Sequence, residues 1–127
     1  MEARKHLSEL HHEHTAWSKS LEFYKDELNV LNNRLGELVT SNSNQSVRAQ
    51  IEHFQNQFIR QREVIDELMH DIKASENDIV SNISANTVAS DHRLAPDHTE
   101  LRERFTLFEK IYSELKQEFH AFASRNY

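Results

Sequence analysis

The chain has 127 residues, a net charge of −6, one glycine, one proline and no cysteine. This length predicts one domain. The scarcity of turn-forming residues excludes a sheet protein, which needs many more of them. The absence of cysteine excludes disulfides, thiolate nucleophiles and cysteine-bound zinc. We therefore expect a single all-helical domain.

The charge pattern argues against two classes of partner. No stripe of lysine and arginine is present to neutralise the phosphates of a nucleic acid or an anionic membrane surface. The first residues lack the apolar core of a signal peptide, and no apolar run approaches the length of a membrane span. We expect a cytoplasmic protein that binds neither nucleic acid nor membranes.

The strongest pattern lies between Leu7 and Leu38, where apolar residues recur at alternating spacings of three and four. Such spacing is typical of a coiled-coil seam and predicts a first helix over about residues 2–39. One seam position is a histidine. The full seam is Leu7, Leu10, His14, Trp17, Leu21, Tyr24, Leu28, Leu31, Leu35 and Leu38.

Polar residues at 40–45 predict a tight turn, followed by a second helix over about 45–83 with the same seam spacing. From Ser81 onward the residues have low helix propensity, so we predict a loop over about 84–96. Pro96 and Asp97 form a helix-start signal. They predict a third, shorter helix over about 97–124 with an aromatic seam.

These elements predict a long antiparallel helical hairpin with a third helix packed along part of it, a three-helix bundle. The expected register ends the third helix near the layer of Val30. The hairpin tip beyond that layer would then expose part of its apolar groove, and an exposed groove of this kind usually marks an interface.

We therefore expect a non-enzymatic helical interaction module that forms a homodimer, with another helical protein as the alternative partner. The serines have no glycine-rich elbow around them and no phosphate-binding loop is present, so we predict no enzymatic activity. The candidate partner-binding residues lie on the hairpin tip and on an outer line of the first helix: Phe23, Val30, Leu31, Leu35, Leu38, Val47, Ile51 and Phe54.

Nine histidines raise the question of a metal site. Glu9 with His12, and Glu67 with His70, have the Glu-x-x-His spacing that metal-binding helical bundles use. Both pairs fall on positions that face away from the seams, and the seams carry no carboxylate. We predict no metal and no cofactor, and keep a metal- or small-ligand-binding bundle that uses the histidines as the alternative function.

Two histidines, His14 and His98, fall on seam positions. His98 lies in the first turn of the predicted third helix, where we expect it to be exposed at the end of the bundle. His14 lies within the seam, so we expect it to be buried, either bonded to a flanking carboxylate, which we favour, or as an unpaired core histidine. Asp71 and Glu109 lie in about the right layer, and with His14 they form a predicted pH-sensitive core site.

Overall fold

The computed structural model describes residues 2–82 and 87–126, with the side chains of residues 7–81 and 98–126. Three helices make up most of this part of the chain: α1 (Glu2–Ser41), α2 (Gln45–Asn82) and α3 (Thr87–Asn126). Each helix contacts the other two. The prediction of an all-helical three-helix bundle is confirmed.

The turn between α1 and α2 is closed by side chains that bond to free backbone groups. The side-chain oxygen of Asn44 accepts hydrogen bonds from the backbone N–H of Ser46 (2.8 Å) and Val47 (3.3 Å), which caps α2. At the end of α1, the side-chain amide of Asn42 donates to the Leu38 carbonyl at 3.0 Å. Because the turn is this short, α1 and α2 lie antiparallel, as predicted.

The predicted loop over residues 84–96 is wrong for residues 87–96, which are helical. Pro96 lies inside α3, where its missing N–H leaves one helical hydrogen bond unmade, and does not mark the start of the helix. Low helix propensity is a weak signal that context overrides. With 40 residues, α3 equals α1 in length and is not the shortest helix.

The register of α3 also differs from the prediction. Residues of α3 lie 84 or 85 positions after their α1 neighbours, as in the contacts of His14 with His98 and of Tyr24 with Glu109. The side chain of Asn42 donates to the Asn126 carbonyl at 3.0 Å, so α3 extends to the α1–α2 turn. The α2–α3 connection falls between Asn82 and Thr87. The chain therefore reverses earlier than predicted, which carries α3 further towards the tip.

The hairpin tip is covered, which corrects most of the predicted partner-binding set. The ring of Phe54 packs against Phe119 and Phe122, with centroids 5.5 and 5.1 Å away. Val47 is partly buried against the same core. Only Phe23 and Val30 of that set are exposed. The tip residues that α3 buries to 6% exposure or less are Leu31, Leu35, Leu38, Ile51 and Phe54.

Candidate functional site

A polar layer interrupts the apolar core on the side of the bundle away from the α1–α2 turn. His14 of α1 and His98 of α3 are each only 2% exposed. The large apolar cluster, which includes Trp17, lies on one side of this layer. A separate small cluster of Leu7, Leu10 and Ile79 lies beyond it. The two histidines thus lie between two apolar clusters.

The two imidazoles form a row with a carboxylate at each end. The Nδ1 atom of His14 lies 2.8 Å from Oε2 of Glu76 on α2. Its Nε2 atom lies 3.2 Å from Nδ1 of His98. The Nε2 atom of His98 points towards Oε1 of Glu13 at 3.5 Å, too far for a good hydrogen bond. Arg102 holds Glu13 in place through two hydrogen bonds of 3.1 and 2.8 Å.

Aromatic rings fix the orientation of His98. The ring of Trp17 stacks on His98 with a centroid distance of 5.0 Å and an interplanar angle of 22°. Trp17 also stacks on Phe105 at 5.5 Å. The imidazole of His98 therefore has little rotational freedom, and its Nε2 atom is buried without a hydrogen-bond partner. Each such atom in a native structure calls for a physical explanation.

The surroundings shift the acid–base equilibria of this row. Burial lowers the pKa of His98, and the nearby Glu13 carboxylate only partly offsets this effect. The hydrogen bonds from Arg102 lower the pKa of Glu13 below its usual value. At neutral pH, Glu13 is an anion and His98 favours its neutral form.

The predicted partners of His14 are wrong, although its burial is as expected. Asp71 bonds to Arg104 at 2.8 Å and to His70 at 3.2 Å. Glu109 accepts a hydrogen bond of 2.6 Å from Tyr24. The actual neighbours of His14, His98 and Glu76, were missed because the register of α3 was displaced. His98 is buried and not exposed at the bundle end, so its seam position was the signal that could have identified it.

A groove between α1 and α2 passes beside His14. Its volume is about 600 Å³, within the range of small-molecule sites. The imidazole of His11 contacts Glu76 at one end of the groove. The groove is lined by apolar side chains and by charges of both signs: Met69, Ile72, Lys19, Lys73, Glu22 and Glu76.

A second polar cluster links α1 and α3 in the middle of the bundle. The carboxylate of Glu27 accepts hydrogen bonds from the Tyr112 hydroxyl at 2.5 Å and from the Lys116 ammonium at 2.7 Å. Burial opposes ionisation of Glu27, but these hydrogen bonds outweigh it and lower its pKa. Burial and the Glu27 carboxylate raise the pKa of Tyr112. The charged carboxylate of Glu27 therefore joins α1 to α3 through these two hydrogen bonds.

Among the side chains that the structure describes, no group of three or more histidine, aspartate and glutamate residues could hold a metal ion. No helix in the described ranges is long and apolar enough to cross a membrane. Comparison with protein-family models, curated proteins and solved structures finds no significant match.

Proposed function

We propose that the protein is a non-enzymatic helical interaction module that pairs with a second copy of itself through the outer face of α1. The observation that carries this proposal is an apolar stripe of Ala16, Phe23 and Val30, which we call the outer stripe. Its members lie seven residues apart on one face of the helix. Phe23 is 60% exposed and Val30 is 58% exposed, so the stripe is open to a partner.

Charge complementarity favours an antiparallel pairing of two α1 helices across a two-fold axis, the commonest symmetry of soluble dimers. If the axis passes near Phe23, Ala16 of one copy lies opposite Val30 of the other. The exposed residues Lys19 and Asp26 flank the stripe on the same side. In this arrangement, Lys19 of each copy lies opposite Asp26 of the other, and the two-fold axis repeats the pair.

Replacement of Phe23 by glutamate should weaken self-association by roughly 30-fold. Loss of about 1 kcal/mol of apolar burial per copy amounts to about 2 kcal/mol per dimer, and the two new charges would repel. Sedimentation equilibrium over a micromolar concentration series measures the change. The matched control is Leu107→Glu, because Leu107 is 56% exposed but lies on α3. A wild-type chain that stays monomeric at high micromolar concentration would refute the proposal.

A charge swap tests the antiparallel geometry. Lys19→Asp alone should weaken the dimer because it places two aspartates opposite each other. The double variant Lys19→Asp with Asp26→Lys should restore wild-type affinity, since the pair is only reversed. If the double variant is weaker than either single variant, these two residues do not face each other and the antiparallel arrangement is wrong.

A second candidate function is the binding of a small apolar anion in the groove between α1 and α2. Met69 and Ile72 offer apolar contact, and Lys19 and Lys73 offer positive charge next to the two carboxylates that also line the groove. The dye 8-anilinonaphthalene-1-sulfonate combines both properties and should bind the folded chain with a 1:1 stoichiometry. Lys73→Glu should reduce this binding several-fold, whereas Lys110→Glu on α3 should leave it unchanged. Equal effects of the two variants would exclude the groove as the site.

A further inference from the structure

The row from Glu76 through His14 and His98 to Glu13 has three gaps between polar atoms. The first two gaps, 2.8 and 3.2 Å, have hydrogen-bond distances, and each needs one proton. The third, 3.5 Å, is an ion-pair contact that attracts Nε2 of His98 to Glu13 only when Nε2 carries a proton. Two neutral imidazoles carry only two N–H groups, because each has one donor and one acceptor nitrogen. A proton in every gap therefore requires three ring protons, one more than two neutral imidazoles carry.

Any other number of ring protons leaves either a gap without a proton or a repulsive contact in this layer, where both rings are only 2% exposed. Two ring protons leave one of the three gaps without a proton. Four ring protons make both rings cationic and direct two N–H groups at each other across the 3.2 Å gap between His14 and His98. The four-proton state is the worse one, because two buried like charges oppose each other directly.

Charged groups from all three helices surround the row and favour three protons. Glu76 from α2 and Glu13 from α1 carry negative charge at the two ends. Arg102 of α3 neutralises part of it through Glu13. One further positive charge on the histidine pair balances the two carboxylates, and a second would exceed them. Among the side chains that the structure describes, His11 contacts Glu76 and Lys73 lines the groove beside His14.

We propose that the pair of His14 and His98 binds one proton beyond the two of its neutral rings and excludes a further one. This makes the layer a pH-operated latch between α3 and the α1–α2 hairpin. The latch is closed when the pair carries three ring protons. Entry of a fourth, as the pH falls, separates His98 from His14. The part of α3 that contains His98 then loosens from the hairpin, and the stack of Trp17 on His98 and Phe105 opens.

The sign of the pH effect follows from the proton count. In the unfolded chain both histidines take up a proton near pH 6.5. The folded chain takes up only one, in line with the lowered pKa of His98. Below about pH 6.5 the unfolded state therefore binds more protons than the folded state, and the stability that His98 contributes above this pH is lost as the pH falls.

The test compares the wild type with His98→Gln, in which an uncharged amide replaces the ring. As the pH falls below about 6.5, the unfolding equilibrium constant from urea denaturation should rise for the wild type relative to the variant, and the measurements run from pH 8 to pH 5. The change should approach about tenfold per pH unit at the acid end. The exposed His53→Gln variant shows the effect of losing a solvent-facing histidine. A flat ratio, or a profile matching that of His53→Gln, would overturn the proposal.

Two measurements on the folded wild type need no variant. Nitrogen-15 spectra of the imidazole rings should show three ring protons on the pair near pH 6.5, and four would contradict the shared-proton arrangement. Trp17 is the only tryptophan, so its emission reports on the layer directly. As the pH falls, its emission should change before the helical circular dichroism does. Simultaneous changes in both signals would mean global unfolding and would refute a local latch.

Discussion

Replacement of Phe119 by alanine should lower the free energy of unfolding by about 3–5 kcal/mol. Phe119 is fully buried, and its ring packs edge-to-face on Phe54 and Phe58, with centroids 5.5 and 5.2 Å away. The substitution leaves a cavity between α2 and α3 that the long helices cannot close by a small shift. Urea denaturation followed by circular dichroism measures the loss.

This variant also tests the coverage of the hairpin tip. The matched control is Leu107→Ala on the same helix, since Leu107 is 56% exposed and should cost less than about 0.5 kcal/mol. If Phe119→Ala cost no more than the control, α3 would not cover the tip. The groove containing Leu35 and Ile51 would then be a candidate interface again.

Replacement of Glu27 by alanine should cost about 2–3 kcal/mol at pH 7. The change removes the acceptor for both the Tyr112 hydroxyl and the Lys116 ammonium, and leaves a buried donor without a partner. Exposed Glu114 provides the control, because Glu114→Ala should change stability by less than about 0.5 kcal/mol.

The effect of Glu27→Ala should depend on pH in a defined direction. Because the folded-state pKa of Glu27 is lowered, its contribution is present above about pH 4.3, the usual value for glutamate. It is lost as the pH falls through the folded-state pKa. The difference between wild type and variant should therefore shrink towards pH 3. A constant difference from pH 7 to pH 3 would assign the effect to lost packing and not to the charge.

The seam of α1 could be predicted because its spacing is regular over many turns. Leu7, Leu21, Leu28 and Leu38 are all buried, as their positions indicate. A repeating pattern of this kind is the most reliable signal in a helical sequence, since it reflects one face of the helix at every turn.

The α2–α3 connection could not be predicted, because Pro96 gave a stronger local signal than the residues that begin α3. A local helix-start signal does not reveal whether the preceding residues are already helical. The error displaced α3 along the hairpin. As a result, the prediction pairs His14 with Asp71 and Glu109, although the ring lies against His98 and Glu76. Side-chain partners between helices depend on register, and periodicity alone does not determine it.

The histidine layer also has a consequence for the alignment of the helices. A purely apolar seam repeats every seven residues, so α3 could slide by one heptad and still meet leucine and phenylalanine side chains. Such a slide would place His14 beside Phe105 and would bury both imidazoles without each other. Each unpaired imidazole would cost roughly 1–3 kcal/mol. The histidine layer thus favours the observed alignment of α3 over one that is displaced by a heptad.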